Sequence, residues 1–324
     1  MTRVTYRGKR RSQPEHKPLD TGTVLATTGG DLRTETSVPN AFSVDVEDYF
    51  QVSGFEDNVS RERWGEFECR VERNTYRILK LLARHDTLAT FFVLGWVADR
   101  FPQLIREIHA AGHEIGSHTY WHHLIYQQSK DEFRSDLRRS RDVLQDVLGE
   151  PVTSFRAPSF SITKRSEWSL EVLVEEGFTV DSSIVPARHD RYGMPGAPRV
   201  IHHIETPAGS ICEFPPTVVQ FAKYNLPVGG GGYFRLYPFA FSRRWLAKAR
   251  AQTRQPFMFY IHPWEVDPEQ PRMRCSKTAR FRHYVGLRNT ECKLEKLLQS
   301  FSFSSVSNVL NQVQPTQPPT TCLA

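Results

Sequence analysis

The sequence predicts an α/β fold whose strands close, or nearly close, into a barrel. Three observations carry this. Short apolar runs alternate with longer stretches of helical periodicity, the pattern of βαβ units on a parallel sheet. Ionisable residues directly follow one apolar run after another, as at the C-terminal rim of such a sheet. Neither G-x-G-x-x-G nor a P-loop follows any strand, so nucleotide binding lacks its usual support. The run Gly229–Gly232 follows no clear strand and carries no G-K-[ST], which reads as a mobile loop.

The elements follow in order. Residues 41–46 form a buried strand, in which Phe42, Val44 and Val46 alternate with Ser43, Asp45 and Glu47. Residues 69–84 place Tyr76, Leu79 and Leu82 at helical spacing. Residues 89–94 are continuously apolar and end at Gly95, a second strand. Residues 99–111 set Phe101, Leu104, Ile105 and Ile108 on one helical face, stopped by Gly112. A short strand at 113–116 precedes a helix at 131–148, closed by Gly149 and Pro151. The alternation continues with a strand at 152–155, a helix at 166–176 ended by Gly177, a strand at 178–180, a helix at 239–252 and a strand at 256–261.

With 324 residues the chain can hold one large barrel domain, and 39% apolar content suffices for its core. The net charge of +6 is concentrated: residues 1–18 hold six cations and one anion, so the remainder is about neutral. That argues for a solvated basic arm over a nucleic-acid surface. Five scattered cysteines without C-x-x-C spacing exclude a cysteine zinc site and predict reduced thiols. No apolar stretch of signal-peptide length follows the N-terminal cations, and the longest apolar run, Leu88–Ala98, is far short of membrane-spanning length. The expectation is a cytoplasmic or peripherally membrane-associated protein. Residues 1–39 are expected to be a disordered basic tail and 312–324 a flexible one.

Five strand ends deliver candidate chemistry to one rim: Asp45, Glu47 and Asp48; His118 and His122; Arg156; Asp181; and His262. His118 and His122 lie four apart, so on a helical turn they would share a face and bind a metal. A carboxylate from 45–48 would complete a His₂-carboxylate site. His113, His123, His202, His203 and His283 read as structural.

Taken in order, these residues resemble the polysaccharide deacetylase family, the NodB-homology or family-four carbohydrate esterases, from about residue 41 to 262. Ser43-Val44-Asp45-Val46-Glu47-Asp48 looks like its first motif, His118-Thr119-Tyr120-Trp121-His122 its H-[S/T]-x-x-H, Arg156-Ala157-Pro158 its R-x-P-Y, Asp181 its fourth and Tyr260-Ile261-His262 its L-x-H. The resemblance implies a distorted (β/α) barrel over residues 40–265. It implies hydrolysis of N-acetyl groups on a glycan with one divalent metal, zinc before cobalt, nickel or manganese. Asp45 would be the base and His262 the acid. His118, His122 and Glu47 or Asp48 would be the metal ligands. Arg156 would orient Asp45, Asp181 would keep His262 protonated, and the backbone N–H of Ser159 would face the oxyanion. Three departures stand out: Asp-Val-Glu-Asp replaces adjacent aspartates, Ser159 stands where the tyrosine belongs, and Val185 where the tryptophan of D-x-x-x-W belongs.

Residues 42–52, Gly230-Gly231-Gly232-Tyr233-Phe234-Arg235-Leu236 and Phe281-Arg282-His283-Tyr284-Val285 resemble a subgroup encoded with bacterial exosortase and exopolysaccharide systems. There, residues 200–311 would form a distinct C-terminal region interleaved with the last barrel strands. Two competing readings are a metal-free hydrolase of cyclic amides, against which the two histidines argue, and a non-catalytic sugar-binding barrel, which would lack the base or the acid.

Overall fold

The computed structural model describes residues 38–313. Most of the expected N-terminal tail and the last eleven residues lie outside that range. The strands are β1 (Asn40–Val46), β2 (Thr90–Val93), β3 (Glu114–Ser117), β4 (Ser154–Phe155), β5 (Val180–Asp181), β6 (His202–Thr206), β7 (Gly209–Glu213), β8 (Val218–Phe221), β9 (Tyr224–Pro227), β10 (Met258–Ile261) and β11 (Phe303–Ser304). The helices are α1 (Val71–Arg84), α2 (Gly95–Arg100), α3 (Pro102–Ala110), α4 (Lys130–Leu148), α5 (Ser169–Glu175), α6 (Gly231–Leu236), α7 (Phe239–Thr253), α8 (Lys277–Tyr284), α9 (Thr290–Ser300) and α10 (Val306–Leu310).

The main sheet runs β10-β1-β2-β3-β4-β5-β7 with every neighbour parallel, and β6 adds antiparallel to β7. All seven residues of β1 are buried, as expected for a strand covered on both faces. No ladder joins β7 to β10; the chain following β7 spans that gap. Thr217 Oγ1 donates to Met258 O at 2.7 Å and accepts the Met258 N–H at 2.7 Å. Tyr260 N–H donates to Gly229 O at 2.7 Å, and Gly230 bridges to Tyr260. The result is a distorted barrel with one irregular seam. The glycine run is therefore a packed element, not the mobile loop expected. Gly230 has φ 145, and a Cβ there would stand 1.9 Å from Tyr260 O.

The helix expected at 99–111 is two helices broken at Phe101, because Pro102 disfavours helical geometry in the residue before it. Helix α4 begins at a capping box, Ser129 with Glu132, and ends at Gly149 with φ 75.

The register explains the rim. Val46 pairs with Val93, Val93 with Ser117, and Ser117 with Phe155. Glu47, His118 and Arg156 each come next in their chains, so they emerge at one level. Val44 pairs with Ile261, which sets Asp45 beside His262. Asp181 pairs with Phe155 and with Glu213, one residue deeper than Arg156.

Candidate active site

Asp45, the penultimate residue of β1, shares a face with Glu47. Its Oδ1 accepts a 2.7 Å bond from Arg156 Nη1, and its Oδ2 lies 3.7 Å from His262 Nε2. Arg156 is wholly buried and held at all three nitrogens: Nη1 also donates to Ser43 Oγ (2.8 Å), Nε to Ser182 O (3.1 Å) and Nη2 to Ser182 Oγ (2.8 Å). A guanidinium so fixed can hold Asp45 in one orientation.

Glu47, His118 and His122 bring one ligand atom each within 4.8 Å of one another, all buried. Glu47 Oε2 stands 2.8 Å from His122 Nε2. Burial alone would raise the Glu47 pKa, but the His122 ring, with His262 and His118, holds the carboxyl far below its usual range. Burial lowers His118 to about 4, so its ring is neutral near pH 7. Its Nδ1 must donate to the carbonyl of Arg156, at 2.7 Å, which leaves the Nε2 lone pair for a ligand. Beyond its 2.8 Å contact with His122 Nε2, Glu47 Oε2 has no partner among the described residues, and His122 Nδ1 is buried with none. Two imidazoles and a carboxylate with orphaned polar atoms fit a divalent ion of the zinc class.

His118 and His122 do not share a helical turn, as the spacing suggested. They flank an irregular loop after β3 in which Thr119 and His122 take left-handed backbone, φ 65 and 55. Asp136 on α4 holds the loop by accepting the N–H groups of Tyr120 (3.0 Å) and Trp121 (3.1 Å). Arg61 donates to the carbonyls of Trp121 (2.6 Å) and His122 (3.2 Å). Such backbone is costly in non-glycine residues, and these anchors maintain it.

Two expected positions are corrected. Asp48 does not join the cluster: its Oδ1 accepts the Tyr49 N–H and its Oδ2 those of Arg70 and Val71, so it caps the start of α1. Burial raises its pKa to about 6 against those three donors. Asp181 does not touch His262. It accepts from Ser183 Oγ at 2.5 Å and lies beside buried Glu213; burial raises both acids, and the neighbouring Asp181 carboxyl pushes Glu213 up further. The partner of His262 is Glu265, whose Oε1 lies 2.6 Å from Nδ1 and also accepts the His262 N–H at 3.1 Å. Burial would lower the His262 pKa, but the bond to Glu265 and the charges of Glu47, Glu265 and Asp45 raise it to about 9.

Sequence reasoning missed Glu265, Arg235 and Trp264 as site residues. Glu265 carried one signal, its spacing of three from His262, that of a capping box, which the structure contains. Arg235 on α6 is buried and ion-pairs through Nε with Glu265 Oε2. Its other nitrogens donate to the carbonyls of His283 (2.7 Å), Val285 (2.8 Å) and Arg282 (2.9 Å). Trp264 Nε1 donates to Glu47 Oε1 at 3.1 Å, and its ring stacks on His262. A cavity of about 360 Å³ opens over Asp45, Glu47, His122 and His262. Ser159, with φ 49 and Oγ 2.7 Å from Ser53 Oγ, lies on its wall, as do Tyr192 and Tyr233.

Parts of the chain are similar to known proteins. Residues 57–179 match the family model for polysaccharide deacetylase. Residues 182–311 match a second model, a domain of unknown function numbered DUF3473. A peptidoglycan-N-acetylglucosamine deacetylase of Bacillus cereus is 29% identical over 120 residues, 33% of this chain and 44% of that protein. A chitooligosaccharide deacetylase of Azorhizobium caulinodans is 30% identical over 100 residues, 31% of this chain and 45% of that one. The chain thus spans under half the length of these curated relatives. About a third of this chain is thus similar to polysaccharide deacetylases. A Mycobacterium smegmatis crystal structure, provisionally named a polysaccharide deacetylase, superposes over 87% of this chain and 94% of its own with a TM-score of 0.54 at 19% identity. The fold is shared.

Proposed function

We propose that the protein is a metal-dependent hydrolase that removes N-acetyl groups from a glycan. One observation carries the reading: Asp45 and His262 share one cavity with Glu47 and His122, two corners of the Glu47–His118–His122 triangle. A sugar-binding barrel needs neither a base nor an acid there, and this site has both.

A bound divalent ion, zinc or another of its class, would polarise the acetamide carbonyl and acidify water. Asp45, oriented by Arg156, accepts the proton of the attacking water. His262, held by Glu265, delivers a proton to the departing nitrogen. Ser159, which lines the cavity, would offer its backbone N–H to the developing oxyanion. Acetate and a free amino sugar leave.

The deacetylase barrel, residues 40–265, and the region 200–311 are read as interleaved. The last barrel strand, β10, Glu265, which holds His262, and Arg235, which pairs with Glu265, all fall within the second family match, 182–311. The named activities of the relatives support an N-acetylated glucosamine polymer or its precursor as substrate. The three segments resembling the exosortase-associated subgroup support a place in bacterial exopolysaccharide formation. No helix among the described residues is long and apolar enough to cross a membrane; a cytoplasmic or peripherally membrane-associated location is proposed.

The test is acetate release from N-acetylglucosamine oligomers and polymers, wild type beside Asp45→Asn. Loss of a general base predicts a fall of about 10²-fold or more in kcat/KM. Unchanged acetate release in the variant would remove Asp45 from the chemistry.

A further inference from the structure

The chain from Phe214 to Trp264 contains seven lysines and arginines and neither aspartate nor glutamate, although the protein beyond its basic N-terminus is about neutral. The apolar residues follow the same segregation. Among the described residues six large hydrophobic side chains are exposed, and five of them, Phe221, Tyr224, Leu226, Leu236 and Phe241, lie in this stretch. Isolated exposed hydrophobics need no explanation; five gathered on one acid-free segment mark an interaction surface.

The structure assembles them on one face. Strands β8 and β9 form a two-stranded hairpin apart from the main sheet, with Phe221 and Tyr224 paired at its tip and each 63% exposed. Only Ala222 and Lys223 separate them, and Ala222 makes the tight turn with φ 51. Helix α7 packs beside the hairpin: Gln252 Nε2 donates to Gln220 O at 2.9 Å, its Oε1 accepts the Gln220 N–H at 3.0 Å, and Lys248 Nζ lies 5.1 Å from the Phe221 ring. One face of α7 then runs from Gln252 through Lys248 to Phe241, at the i, i+4 and i, i+7 spacings. Trp245 contacts both Phe241 and Tyr237, next in sequence to Leu236, which lines the mouth of the catalytic cavity. Lys223, Arg243, Arg244, Lys248 and Arg254 are exposed, and none makes an ion pair among the described residues.

We propose that this face, the β8–β9 hairpin tip with the outer side of α7, docks on an anionic lipid bilayer. Aromatic rings at a hairpin tip with a lysine between them suit the headgroup boundary: the rings enter it and the ammonium reaches lipid phosphates. The unpaired Lys223 and Lys248, over the Tyr224 and Phe221 rings of the same face, add attraction to an anionic leaflet. Charge excludes the nearer occupants. The N-terminal segment is itself basic, with six cations in residues 1–18, and a second copy would present the same positive face. Exposed leucines beside the aromatics favour a bilayer over a nucleic acid, whose bases call for flat stacking partners. The inference does not depend on the deacetylase reading, but it would bring the cavity mouth to a membrane surface.

The test is co-sedimentation of the full chain with phosphatidylglycerol-rich vesicles and with vesicles of phosphatidylcholine alone. Wild type is expected to bind the anionic vesicles, more weakly as salt rises, and to leave the neutral ones in solution. Lys223→Glu with Lys248→Glu should weaken binding by at least about twentyfold, at about fivefold per charge removed. Phe221→Ser with Tyr224→Ser should weaken it by about tenfold or more while lowering the dependence on apolar insertion. Circular dichroism of both variants should match wild type, since all four side chains are exposed. Wild type remaining in the supernatant overturns the proposal. So does equal binding by both variants, which would assign the attraction to the basic N-terminus. Binding to a single-stranded polynucleotide without binding to vesicles, or a dimer dissolved by the serine variant, overturns it in favour of those partners.

Discussion

Glu265→Gln changes a charge and almost no shape, in a place where the structure makes the charge matter. Glu265 is fully buried and divides its two oxygens between His262 and Arg235. The Arg235 side chain is 2% exposed, so the glutamine variant leaves a guanidinium buried opposite a neutral amide. Breaking one side of a buried ion pair costs about 3–5 kcal/mol. That is a large share of the roughly 5–15 kcal/mol by which domains are stable. The variant should therefore fold but unfold at markedly lower denaturant. Arg235→Met should cost at least as much, because it also abandons the carbonyls of Arg282, His283 and Val285. The double variant should be less damaged than the sum of the two, the signature of a coupled pair. Urea unfolding of the four proteins reads all three quantities. A single-variant cost for Glu265→Gln under about 1 kcal/mol, or strict additivity in the double variant, would refute the claim that Arg235 and Glu265 act as a unit.

Other consequences follow from the same geometry. Asp48→Asn and Glu47→Gln should separate cleanly: the first weakens the cap of α1 by about 1–2 kcal/mol and keeps the metal, the second keeps stability closer to wild type and loses metal affinity. Calorimetric zinc titration beside thermal melts checks both, and loss of metal by Asp48→Asn alone would reverse the assignment. His113 gives a pH test away from the site. Burial lowers its pKa to about 4, and its Nδ1 accepts the Ala89 N–H at 3.2 Å. Between its usual value of about 6.5 and pH 4 the unfolded chain takes up a proton that the native ring refuses. Its contribution is therefore fully present above pH 6.5 and is lost as pH falls toward 4. His113→Asn, which keeps an acceptor, should flatten stability across that window, and an unaltered pH profile would contradict the assignment.

Much of the site was legible because a parallel sheet converts order along the chain into position on a rim. Once apolar runs were read as strands, the residues following them had to emerge together, and Asp45, His118, Arg156 and His262 do. What alternation could not decide was Glu47 against Asp48. Strand periodicity favoured Glu47, yet only the approach of α1, whose free N–H groups claim Asp48, removes the alternative. Asp181 misled for a related reason: the register places it one residue deeper than Arg156, beside Glu213. The role expected of it falls to Glu265, local to His262 but locked by Arg235 from a helix that showed no periodicity of its own. Strands β6 to β9 were not read at all. They are short and partly exposed, so they lack the continuous apolar runs that betray the barrel strands. The glycine run was misjudged because its function is steric: only glycine lets residue 230 lie against Tyr260.

The central claim is that Glu47, His118 and His122 form a metal centre served by Asp45 and His262. Elemental analysis of the purified protein, wild type beside His118→Ala/His122→Ala, tests it most directly. The account predicts about one zinc-class ion per wild-type chain, absent from the folded double variant, with acetate release lost alongside it. A folded wild type that holds no metal, even after Zn²⁺ or Co²⁺ is supplied, would contradict it.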